Sequence, residues 1–452
     1  MILYRNRISY TVIVINRTVM LKNLANADKV SSMLRTNSVL VEINGSIRRI
    51  SLDDLMSSIN AGNEQLLRQV AWGIPIKDTI QSSPVWGRVG NLDMWEEYKS
   101  MSGRYLVTND GKAAKLSTVN SGIFADGTAL DESLGHVMVY APRLYYLVKT
   151  DEVAGIPYLW MSMIPISGHY IEAPCIGAYK GSMSGSALVS RSGVAPVGSK
   201  TINAFWNAAQ VNGKNWGLIN YDHRKFMIML LLSEYGNPNV QGMVGNGLTG
   251  TNSSDWQTAL SFPCGNTKSL GDSFGSVAHE YTMTNGSQTL GACDVSIMGI
   301  ENPYAQQWEM AQGIYCGSSN NSAQDGTEIF IYEGNRMPSS SELATHPDGD
   351  YRQLTRLTTE GYISQMIIGE FFDIFAKNVG GGGTSYWCDY SYANSTGQLV
   401  LWGAIATFGA SAGLGCASSH NAWSLSHSLI GSRLAYYGEL TFMSGAELMA
   451  SV

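Results

Sequence analysis

Charge is what this sequence most conspicuously lacks. Asp, Glu, Lys and Arg make up 14% of its 452 residues, well under the quarter or so usual in soluble proteins. From Tyr390 to Ser432 there are 43 residues without one of them. Acid–base catalysis needs a titrating group at the reacting bond, so that stretch has little catalytic machinery of its own. Basic stripes are missing too, and a net charge of −7 argues against a nucleic-acid partner, whose binding rests on phosphate neutralisation. The six cysteines (Cys175, Cys264, Cys293, Cys316, Cys388 and Cys416) include no CxxC pair, which excludes a zinc ribbon. Buried free thiols are the default reading, although the even count leaves disulfides open. No secretory signal is expected, because Arg5, Arg7 and Arg17 break up the early apolar run and no small-residue cleavage site follows. Met20 reads as an equally good start, so residues 1–37 are expected to be a disordered segment or to follow from a misassigned start.

The usual catalytic motifs fail as well. His279-Glu280 has no second histidine for a zinc-binding HExxH, and there is no P-loop. Gly245 to Gly250 spells GxGxxG, but Thr251-Asn-Ser-Ser254 follows where a helix would have to open. Gly409 to Gly413 spells GxSxG, yet Gly415 interrupts the required helix and no acid lies between Ser411 and His420 or His427. Glu301 and Glu309 have no evident carboxylate partner in sequence. His420 and His427 have no nearby acid to orient them. No catalytic residue, metal ligand or cofactor is therefore expected, and the chain reads as a non-enzyme.

What the charge-free stretch does contain is Tyr390, Tyr392, Trp402, Phe408 and Trp423 among Ser, Asn, Gly and Ala. That is the composition of antigen-binding loops, in which rings supply rigid contact area and small polar residues supply adaptable hydrogen bonds. Two plainer readings compete with it. Leu399 to Ala417 is 19 nearly apolar residues, close to a bilayer span, with glycines that suit helix packing. No Lys or Arg flanks it, however, and its glycines favour short buried strands, so no membrane insertion is expected. The other competitor is β-core with no binding role.

The length allows two or three domains. Ser38–Asn44 and Ser46–Ile50 read as a hairpin about Asn44-Gly45, followed by a helix capped by Ser51 with Leu52, Leu55, Met56 and Ile59 on one face. Residues 38–76 thus form a hairpin–helix module suited to attachment or oligomerisation. Short strands at 103–107, 136–140 and 144–148 make 77–150 a β-rich connecting domain. Two helices follow, one capped by Thr201 and stopped at Gly213, the other running from about Asp222 to Tyr235 and stopped at Gly236.

Three segments carry a resemblance. Pro196 to Trp206, the two helices and Tyr235-Gly-Asn-Pro-Asn239 resemble the opening of the C-type-lectin-like domain of phage and bacterial variable proteins. Gly299 to Tyr304 with Trp308-Glu309 is similar to the central strands of that fold, which formylglycine-generating-enzyme-like domains share. Cys388 to Tyr392, Leu401-Trp402-Gly403, Ala412-Gly413-Leu414, Trp423 to Ser426 and Ile430 to Leu434 resemble the variable region of proteins diversified by diversity-generating retroelements. The resemblance covers roughly 150–438, and only the last group of segments is specific to those proteins. It implies an α+β chain with a C-type-lectin-like domain over 151–438, variable at about 385–430, small β-rich N-terminal domains and a tail at 439–452.

By the same resemblance, Trp402, Gly403, Gly413, Trp423, Gly431, Arg433 and Leu434 are scaffold. Tyr386, Tyr390, Tyr392, Ile405, Thr407, Phe408, Ser411, Ser418, His420, Leu425 and His427 face the ligand. Ala404 departs from the pattern, standing where the group often has a second glycine. Glu301-Asn302-Pro303 is in the wrong order for a calcium-dependent sugar site. The implied function is that of a major-tropism-determinant-type receptor-binding protein: a homotrimer at a phage tail-fibre tip, joined to other virion tail proteins, binding a bacterial surface protein or glycan. A bacterial surface-displayed variable adhesin is the near alternative. An oxidase of the formylglycine-generating type, using Cys388 and Cys416, is the distant one.

Overall fold

The computed structural model describes residues 14–15, 18–19, 38–43, 46–77, 86–151, 154–249, 256–279, 292–383, 387 and 389–451. Most of the 1–37 segment, the Asn44-Gly45 turn, Glu280, Tyr386 and Cys388 lie outside the described residues. The fold is α+β, with short helices set beside several mainly antiparallel sheets.

Local chemistry sets the element ends. Strands Ser38–Ile43 and Ser46–Ser51 pair with Ile43 opposite Ser46. The Ser51 hydroxyl then accepts the Asp54 N–H at 3.0 Å and starts helix Leu52–Asn60, which buries Leu55 and Ile59 completely. Thr201 caps helix Ile202–Gln210 in the same way. Asn220 and His223 form a capping box at the start of helix Tyr221–Tyr235, and Gly236 ends it in the left-handed conformation that favours glycine. That helix is buried almost all round and acts as a central post. Ser233 near its end accepts from Trp72 Nε1 at 2.8 Å, and Tyr221 at its start lies 6.0 Å from the Trp402 ring.

Strand pairing runs across the expected domain divisions. One seven-stranded sheet runs, in spatial order, through Trp216–Leu218, Leu434–Tyr436, Cys175–Gly177, His136–Tyr140, Gly103–Val107, Lys112–Lys115 and Thr441–Met443. Its hydrogen bonds cross both 150/151 and 438/439. The 38–76 module is likewise tied in, since strand Trp72–Pro75 pairs with Pro157–Ser162 and Leu55 and Leu67 share a core with Trp160 and Ile166. Long-range strand pairing decides such boundaries, and composition along the chain does not report it.

A second seven-stranded sheet carries the candidate site. Its order is Asp373–Val379, Gly361–Ile368, Tyr390–Ala393, Ala417–Asn421, Leu399–Trp402, Trp308–Met310 and Ile430–Ser432. The apolar run 399–417 is thus split between two strands and a loop containing a single 3-10 turn, Gly409–Ser411. No described helix is long and apolar enough to cross a membrane.

Candidate functional site: an aromatic row over a buried ion cluster

Side chains alternate between the two faces of a sheet, and residues paired across strands share a face. Ser391, Ala417, Trp402, Glu309 and Gly431 form one row across the sheet, turned toward helix Tyr221–Tyr235. The adjoining row, Tyr392, Ser418, Leu401, Met310 and Ser432, points the other way. Tyr390 shares that second face with Tyr392 and pairs with Tyr362 on the next strand.

The inward face is locked by a cluster of one carboxylate and three cations. Glu309 Oε1 accepts from Lys180 Nζ at 3.1 Å and from Arg433 Nε at 2.9 Å, and Oε2 accepts from Arg224 Nη1 at 3.1 Å. All four side chains are at most 1% exposed. Burial pushes the Glu309 carboxyl up, but Arg433, Lys180 and Arg224 outweigh it and hold the group below its ordinary value. Burial also draws the Lys180 ammonium down to about 8, against the pull of Glu309. The spare donors clamp backbone: Arg433 reaches the carbonyls of Gly177, Ala178, Glu301 and Asn302. Arg224 reaches those of Pro303 and Leu414. Sequence reading left Glu309 without a partner, and the fold supplies three. Glu301 gains partners too, accepting from the backbone N–H groups of Gly265 and Thr267.

The residues read as scaffold are all buried. Trp402 is fully buried against Phe375 and Arg224, Leu434 is fully buried, and Trp423 is 8% exposed. Gly403 adopts φ +91, which a side chain would strain, and a Cβ there would sit tightly at 3.0 Å from the Pro303 carbonyl and 3.1 Å from Tyr304 Cα. A Cβ on Gly413 would strike the Asp389 carboxylate, and one on Gly431 would strike Gln307. Ala404 is fully buried at φ +72, a left-handed conformation that favours glycine.

The outward face carries a continuous row of rings. Tyr362 and Tyr390 are 5.2 Å apart between centroids, Tyr390 and Tyr392 4.4 Å, Tyr392 and Phe408 5.1 Å, and Phe408 and Trp308 5.6 Å. Trp308 is buried at the base, whereas Tyr362, Tyr390, Tyr392 and Phe408 are half-buried and open to solvent. Ser411 Oγ donates to the Tyr362 hydroxyl at 3.2 Å, and Thr407 is half-buried on the same loop. His420 flanks Tyr392 at 6.2 Å, and its Nδ1 lies 3.4 Å from Glu360. The expectation that no acid orients His420 is therefore corrected.

The reading of ligand-facing positions needs two further corrections. Ile405 and Ser418 are only 6% and 1% exposed, so they lie beneath the face. Ser418 alternates onto the correct side, but the packing above that part of the sheet covers it. Leu425 is half-buried and His427 exposed on loop 422–429, which is held where the His427 carbonyl accepts the Ser199 N–H. Tyr362 and Glu360 join the face although sequence reading missed them. Both precede the charge-free stretch, and only strand pairing brings them to it.

Reactive chemistry is not evident here. Ser411 bonds a tyrosine, and no helix follows its turn, so a nucleophile elbow does not form. Cys416 is fully buried, and burial together with Asp389 pushes its thiol well above the ordinary value, the opposite of nucleophile activation. Among the described residues no cluster of His, Cys, Asp and Glu could hold a metal. No protein-family model matches this chain, and no curated protein matches it significantly.

Proposed function

We propose that this chain is a non-covalent receptor-binding protein whose outward sheet face, centred on Tyr390, Tyr392, Phe408 and His420, recognises a molecule on a bacterial surface. The observation that carries the reading is the pairing of an open, uncharged aromatic row with an opposite face locked by buried ions and sterically obligatory glycines. Residues on the open side change without unfolding the sheet, as a diversifiable binding site requires. We read residues 151–438 as a C-type-lectin-like domain of the retroelement-diversified kind, carried as a trimer at a phage tail-fibre tip, where several weak sites add through avidity.

The test uses the full chain, fluorescently labelled, against a panel of intact bacterial strains. Binding to a subset of strains, lost in Tyr392→Ser and Phe408→Ser variants that remain cooperatively folded, is the expected result. Binding that survives both substitutions overturns the assignment of the face. Sequencing the coding region across its source population tests diversification: scattered variation at the half-exposed codons of 385–430, with a near-identical template repeat nearby, is expected. Uniform sequence with no template removes the retroelement part.

A further inference from the structure

Resting on that reading of the face, we infer that its ligand presents a basic side chain, an arginine or lysine of a receptor protein, to the rings beside Glu360. The charge-free stretch supplies rings and small polar groups but no ion. The fold then brings in one carboxylate from outside the stretch and sets it at the edge of the row. Glu360 is 42% exposed, and His420, its ionic partner among the described residues at 3.4 Å, is 37% exposed and charged only when protonated. The carboxylate thus keeps capacity for a second, stronger donor.

The neighbouring charges do not compete for that role. Asp389 is buried beneath the loop, its carboxyl accepting the Gly415 N–H at 2.7 Å. Arg356 is 5% exposed and donates to the carbonyls of Ser419, Gly317 and Gly397. Lys377 is exposed on the edge strand Asp373–Val379, beyond Tyr362. A guanidinium or ammonium lying over Tyr390 or Tyr392 gains the attraction of the ring face and a charge-assisted hydrogen bond to Glu360. A neutral glycan uses the rings and offers the carboxylate only uncharged hydroxyl donors, which lack the charge assistance of a guanidinium or ammonium. An anionic surface polymer is repelled by it.

The probes are N-acetyl-arginine methylamide and its neutral isostere, N-acetyl-citrulline methylamide, each observed by saturation-transfer NMR against the full chain. We expect at least threefold stronger transfer to the arginine compound, abolished in Glu360→Gln and in Tyr392→Ser and weakened by added salt. Equal transfer to both compounds, or an arginine preference that survives Glu360→Gln, overturns the inference. Cell binding separates this from failure of the underlying reading. Cell binding lost in Tyr392→Ser but intact in Glu360→Gln keeps the face as receptor site and refutes the basic ligand, whereas cell binding intact in both refutes the face itself.

Discussion

Replacing Glu309 by glutamine removes the one negative charge that three fully buried cations share. Four donor contacts between 2.7 and 3.1 Å converge on that carboxylate. Breaking a buried ion pair costs about 3–5 kcal/mol, because the abandoned charge stays desolvated. Glutamine retains one acceptor oxygen but turns an N–H₂ group toward arginine donors, so we expect a loss of about 3–5 kcal/mol. That is a large share of the roughly 5–15 kcal/mol that holds a folded protein together. Single substitutions on the open face, Tyr390→Ser or His420→Ser, remove half-exposed groups and are expected to cost about 1 kcal/mol each. Urea unfolding followed by tryptophan fluorescence, with the four proteins compared at pH 7, measures the difference. The reasoning is refuted if Glu309→Gln lies within about 1 kcal/mol of the unsubstituted chain, or if the face variants are as costly as the cluster variant.

Three further outcomes are expected. Asp389 is buried with its Oδ1 unpartnered, and burial, opposed by the Gly415 N–H and Arg224, raises its carboxyl from 3.8 to about 8. The folded state therefore holds a proton that the unfolded state has released, so stability falls by up to about 1.4 kcal/mol per pH unit between about pH 4 and 8 and levels off above. Asp389→Asn should flatten that slope in thermal melts across the range, and an unchanged slope sinks the argument. Gly413→Ala should destabilise by about 2 kcal/mol or more through collision with Asp389, while Ala404→Gly, which relieves a left-handed alanine, should change stability by no more than about 1 kcal/mol in either direction; equal unfolding midpoints for the two variants contradict this. Among the five described cysteines, which are all free, half-buried Cys293 should react with maleimide well before Cys175, Cys264, Cys316 and Cys416, as peptide mapping of the labelled chain will reveal.

Much of this protein is written locally. Ser51, Thr201 and Gly236 mark helix ends because capping is a matter of neighbouring backbone groups, and each helix they bound is present. The strands at 103–107, 136–140 and 144–150 follow from β-branched and aromatic runs between turn residues. The charge-free, ring-rich stretch was visible as chemistry, and strand Tyr390–Ala393 then set Tyr390 and Tyr392 on one face. What the fold alone decided lies in contacts between distant residues. Glu309 meets cations 129, 85 and 124 residues away, and no periodicity encodes such a meeting. Ile405 and Ser418 are hidden, while half-buried Tyr362 joins the row and Glu360 is exposed beside it, because burial depends on what packs above a strand and not on the strand's own pattern. Strand pairing likewise gathers strands between residues 103 and 443 into one sheet, across the expected divisions at 150/151 and 438/439. Sequence determines which surfaces each element offers, and tertiary packing determines which of them water, or a ligand, can still reach.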